Sequence, residues 1–155
     1  MKKAIDKILE KVLITIMSIL VIDVLWQVLS RYVLVSPSSF TDELAGFLLI
    51  WVGVLGAAYV AGAQEHLAID ILIQKSKPVA KTRLNFFVNL TIALFALFVL
   101  LIGGTWLVIT RFKFNVCSAA LHLPLGYVYI VLPISGILML YYSLVFMFTK
   151  RKEAA

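Results

Sequence analysis

Glu65, His66 and Asp70, set within six positions in AGAQEHLAID, form the densest group of side chains here that could move a proton or hold a metal. A histidine and an acid four residues apart share one helix face, so His66 and Asp70 could act as an acid–base pair. No nucleophile, third orienting group or glycine-rich loop accompanies them, and a structural pairing is the stronger reading. Cys117 is the single cysteine, which excludes an intramolecular disulfide and with it the quinone-linked thiol oxidoreductases. The chain also has no Walker A lysine loop, so it does not hydrolyse ATP itself.

Asp23 is the other residue with chemical potential. It interrupts VLITIMSILVIDVLW, and Gln27, Ser30 and Arg31 continue its stripe at helical spacing. A lone carboxylate in the first of several spanning helices is what a small ion-coupled exporter would use. The plainer alternative is a buried contact with a neighbouring helix or a partner subunit. In either case the stripe should face protein, because a carboxylate turned to hydrocarbon costs a few kcal/mol (order of magnitude) on insertion scales.

The elements that must position these residues are long and apolar. Hydrophobic residues make up 63% of the 155 and charged residues only 14%, with a mean hydropathy of +1.04. These values lie outside the soluble range and predict an all-α integral membrane protein. Four stretches, at about 12–34, 43–63, 86–110 and 124–148, reach the roughly 20 residues that a span needs. They would form one membrane domain over 1–155, with interfacial amphipathic segments at about 2–11 and 65–73. Glu65, His66 and Asp70 then sit at headgroup level, where a helix leaves the hydrocarbon and turns along its surface. His66 and His122 fall on opposite sides, ~30 Å apart, too far to share an iron or a zinc. No cofactor is expected.

The net charge of +6 matters through its distribution rather than its size, and it does not point to nucleic acid. Eleven of the fourteen basic residues precede the first span, join the second to the third, or follow the fourth; Arg31, Arg111 and Lys113 are the other three. By the positive-inside rule both termini and the 74–85 loop are cytoplasmic, and 35–42 and 111–123 face outward.

In SPSSFTDEL, Pro37 breaks the chain, a Ser or Thr can cap, and Asp42 and Glu43 sit where a helix dipole favours negative charge. Gly53, Ala57 and Ala61 then recur every fourth position, with Gly46 and Gly56 close to the same face, a pattern that permits close helix approach. Asp23, Gln27, Gly53, Ala57 and Ala61 are therefore the candidate partner-interface residues. Gly103-Gly104 can allow close packing or a bend, Pro124 suits a helix start, and Pro133, Ser135 and Gly136 predict a kink. Tyr32, Trp106, Phe112, Tyr127 and Tyr129 have the positions of interfacial anchors. Four nearly continuous helices leave little room for a transport pathway, and the chain reads as an accessory to something larger.

SRYV, SPSSFTDELAGFLLIWVGVLGAAYVAGAQEHLAID and LPLGYVYIVLPISGILM together resemble the small, DctQ-like membrane subunit of tripartite ATP-independent periplasmic (TRAP) transporters. The similarity covers nearly the whole chain and is most specific from Asp42 to Asp70, although Phe40 stands where the family usually has Trp. The resemblance implies a four-helix subunit of the bacterial inner membrane, packed beside a large membrane subunit that carries sodium and substrate. A periplasmic binding protein would deliver an organic acid, such as a C4-dicarboxylate or sialic acid. The alternative reading is a self-contained small exporter that uses Asp23.

Overall fold

The computed structural model describes residues 2–34, 38–63 and 78–153, so Glu65, His66, Asp70 and the segment at 65–73 lie outside the described residues. Among the described residues six α-helices run in order: α1 (Lys2–Tyr32), α2 (Ser39–Ala63), α3 (Pro78–Phe95), α4 (Gly104–Lys113), α5 (Leu125–Tyr129) and α6 (Val131–Glu153). A π-helical segment, Ala96–Gly103, joins α3 to α4. Among the described residues four helical stretches are long and apolar enough to cross a membrane: Ala4–Tyr32, Ser39–Ala63, Leu84–Lys113 and Leu125–Met147.

α1 contains no glycine or proline, and the amphipathic lead-in at 2–11 is continuous with the span. Its 31 residues extend about 46 Å at 1.5 Å per residue, which exceeds the ~30 Å hydrocarbon core and leaves its lysine-rich start beyond it. α2 begins at Ser39, where the Thr41 hydroxyl donates to the Ser38 carbonyl at 3.0 Å and the Thr41 N–H points to Ser38 Oγ at 3.5 Å. At the fourth span the proline effect takes the form of a break. α5 ends at Tyr129, and α6 restarts at Val131 with Pro133 in its first turn, where an amide N–H has no intrahelical acceptor to miss.

By packing, the chain divides into two compact units, Met1–Gly56 with Trp106–Val131, and Ala57–Thr105 with Leu132–Ala155. In the first unit, Leu9, Leu55, Val128 and Val131 are buried together with the polar Asp23, Ser30, Thr41 and Ser118. The buried core of the second unit is built largely from small residues: Ala58, Ala61, Gly62, Ala96, Gly104, Ser135, Gly136 and Ser143, around the fully buried Tyr142. Between helices in a bilayer the hydrophobic effect offers little drive, and close backbone approach takes its place. A Cβ at Gly62 would lie 2.8 Å from the Tyr142 ring, one at Gly104 would lie 2.9 Å from Leu132 Cβ, and one at Gly136 would lie 3.0 Å from the Leu101 backbone nitrogen. The π segment is part of this contact: Ala96 and Leu100 are buried, and the Gly104 N–H reaches both Val99 O and Leu101 O. Of the two expectations for Gly103-Gly104, the structure shows close packing, at Gly104, where the eight-residue π segment ends.

Hydroxyls on exposed helix faces close on their own backbones. Thr15 donates to Lys11 O at 2.8 Å, Ser18 to Ile14 O at 2.8 Å and Thr91 to Phe87 O at 2.9 Å. Such pairs make a polar residue tolerable against lipid.

Candidate functional site

The polar residues of the first unit converge on the start of α2 and the loop between α4 and α5. Asp42 and Glu43, adjacent in sequence, point to different partners. Gln27 Nε2 of α1 donates to Asp42 Oδ1. The Glu43 carboxylate accepts three backbone N–H bonds from the loop: Ala119 to Oε1 at 2.8 Å, and Ala120 and Leu121 to Oε2, each at 3.0 Å. Charge-assisted bonds of this kind are roughly twice as strong as neutral ones. Three successive amides, otherwise without acceptors in a turn, are satisfied by one side chain.

The loop has a shape that permits this. Ser118 N–H donates to Leu123 O and Leu125 N–H to Val116 O, both at 2.9 Å, which pairs the two arms around an isolated Cys117–Pro124 bridge. Asn115 and His122 adopt left-handed φ values of 46° and 52°. His122 is exposed and acts as a turn residue. The far arm leads through Pro124 into α5, where a Cβ on Gly126 would fall 2.5 Å from the Phe112 ring, and Phe112 meets Tyr127 edge to face at 5.1 Å. Trp51 of α2 donates its indole N–H to Val128 O at 3.0 Å, at the end of α5 where the helix breaks. Helix α2 thus holds the 114–128 region at two points, Glu43 and Trp51.

Of the interface candidates, Asp23 is buried at 7% exposure, and its Oδ2 has no hydrogen-bond partner among the described residues. Gln27 is half-buried and Ser30 buried, with Ser30 Oγ bonded to Gln27 O at 2.9 Å. Asp23, Gln27 and Ser30 therefore face protein, whereas Arg31 at the end of the stripe is exposed. Along α2 the small residues separate: Ala61 is buried, whereas Gly53 and Ala57 are exposed. Among the described residues no atom lies within 4 Å of a Cβ built at Gly46, Gly53 or Gly56. Beside them an open apolar groove of about 660 Å³ is lined by Leu13, Ile14, Met17, Val21 and Ile22 of α1 with Val52 and Gly56 of α2. Only 11% of the apolar window of α1 is buried, against 33% in the fourth span, so α1 has the least covered surface.

Sequence reasoning missed the loop clamp, the Trp51 bond and the Phe112–Gly126 contact. Glu43 and Ala119 are 76 positions apart, and no local spacing signals such a pairing. The signal that existed was weaker: an acid at a helix start, and a short loop of small residues with free amides.

With this geometry in hand, the comparisons with known proteins are specific. The family model described as "Tripartite ATP-independent periplasmic transporters, DctQ component" matches residues 20–153. A Haemophilus influenzae protein named as a TRAP transporter small permease is 31% identical over 136 residues, covering 86% of this chain and 81% of its own length. Sialic acid TRAP transporter small permease protein SiaQ of Vibrio cholerae is 29% identical over 93 residues, 60% of this chain and 53% of that protein. Sialic acid TRAP transporter permease protein SiaT of Haemophilus influenzae is 38% identical over 66 residues, which are 43% of this chain and 11% of that protein. The chain belongs to the DctQ component family of tripartite ATP-independent periplasmic transporters, as a small multi-pass permease subunit of the bacterial inner membrane.

Proposed function

We propose that this chain supports a large membrane subunit in ATP-independent, sodium-gradient-driven uptake of an organic acid, sialic acid or a C4-dicarboxylate, delivered by a periplasmic binding protein. The observation that carries the reading is the match to SiaT, in which a segment similar to this chain makes up 11% of a much longer permease polypeptide. A segment similar to this chain that is part of a longer permease polypeptide is held to the rest of it permanently, and the same association between separate chains is the economical arrangement here. The uncovered face of α1 and the exposed Gly53 and Ala57 of α2 offer surface for such a partner.

The test is reconstitution. Vesicles with this chain alone are expected to move no substrate, and vesicles that also hold the large subunit are expected to take up the acid when a sodium gradient and the binding protein are present. Gly53→Leu or Ala57→Leu should reduce co-purification of the large subunit by several-fold. Asp23 favours the second reading, a small exporter, because its Oδ2 is buried without a partner among the described residues. Ion-driven flux by the isolated chain that Asp23→Asn abolishes would establish that reading and defeat the first.

The same proposal places both termini in the cytoplasm and the 111–123 loop in the periplasm, in accord with the lysine and arginine distribution. Cys117 is exposed within this loop and is a native probe. A membrane-impermeant maleimide should label it in intact spheroplasts; labelling only after permeabilisation would invert the topology.

A further inference from the structure

We propose that Arg111 binds the phosphate of a phospholipid headgroup. Arg111 lies in the last turn of α4, at the end of the span Leu84–Lys113. Trp106, 75% exposed, and Phe114, 69% exposed, bracket it, the arrangement of an aromatic belt at the membrane–water boundary. At that depth lipid phosphates are the most concentrated anions.

The guanidinium lies over the Tyr129 ring, 5.8 Å from its centroid, and its Nε is buried with no acceptor among the described residues. The cation has lost part of its hydration without gaining a counter-ion among the described residues. The two carboxylates at the start of α2 are engaged elsewhere, Glu43 by the three loop amides and Asp42 by Gln27. The half-buried side chain also reaches the surface, where an anion from outside the chain can supply the compensation. A guanidinium held over a ring offers its fork of N–H donors to the oxygens of a phosphodiester, where a lysine would offer a point charge. Arg31 also ends a span, in the last turn of α1, but it is exposed, with no aromatic ring stacked on it among the described residues. It serves as an internal control.

The test uses the full chain in detergent, with phosphatidylglycerol, diacylglycerol of the same acyl chains, or inorganic phosphate added in separate arms. Native mass spectrometry reads the lipid retained, and thermal unfolding reads the shift in Tm. The wild type is expected to retain phosphatidylglycerol and to gain Tm from it, with no gain from diacylglycerol. Arg111→Ala should lower retention about fivefold, Arg111→Lys should fall between, and Arg31→Ala should match the wild type. Equal gain from diacylglycerol, or equal loss in the two alanine variants, would overturn the site. Inorganic phosphate that raises Tm as much and displaces the lipid would overturn the lipid as its source. The wild-type comparison of phosphatidylglycerol with diacylglycerol decides the matter even where Arg111→Ala fails to fold.

Discussion

Glu43→Gln is expected to release the loop between α4 and α5. The glutamine side chain keeps one acceptor oxygen and puts an NH₂ where the second oxygen stood. Ala119 donates to one carboxylate oxygen, and Ala120 and Leu121 donate to the other, so either orientation of the amide leaves at least one loop N–H facing a donor. Hydrogen exchange at residues 119–121 should accelerate by roughly tenfold or more, with α6 unaffected. Maleimide should react faster with Cys117, one residue before the buried Ser118. Glu43→Asp should have a similar effect, because the shorter side chain cannot serve three amides at once. Unchanged exchange in both variants would show that the Ser118–Leu123 and Val116–Leu125 pairs hold the loop without the carboxylate.

The second large effect separates two classes of glycine. Gly136→Ala is expected to destabilise the chain by about 1–3 kcal/mol, the usual cost of overpacking, because the new Cβ meets backbone at 3.0 Å rather than a side chain able to move. Gly104→Ala should cost a similar amount, against Leu132 Cβ and the Pro133 ring. Gly46→Ala and Gly53→Ala meet nothing within 4 Å among the described residues and should be neutral, or stabilising by up to about 1 kcal/mol through helix propensity. Denaturation of the full chain in detergent measures all four. A loss at Gly53 equal to that at Gly136 would mean that the chain packs against its own Gly53 face, which would remove that face from partner binding. Stability kept by Gly53→Leu, with co-purification of the large subunit lost, would assign the face to the partner.

How much of this was legible beforehand depends on the range of the interaction. Span number and helix character follow from the run lengths of apolar residues, because a backbone in hydrocarbon must satisfy its own hydrogen bonds and a helix does so locally. The family resemblance rested on the Asp42–Asp70 stretch, and the match over residues 20–153 agrees with it. The burial of Asp23 also followed from elementary cost, since a carboxylate in a span must turn to protein. The tertiary structure decided which residues meet. Small residues recurring every fourth position, Gly53, Ala57 and Ala61, announced a close approach, yet of these only Ala61 is buried, and the close approaches described are at Gly62, Gly104, Gly126 and Gly136. A small residue permits contact without selecting a neighbour, and the neighbour is set by register between helices distant in the chain. For the same reason Asp42 and Glu43, adjacent acids near one helix start, of which only Asp42 falls in the first turn, part company, one to Gln27 and the other to a loop 76 residues or more away. Local chemistry determined what each residue needed, and the packing of distant segments determined where that need was met.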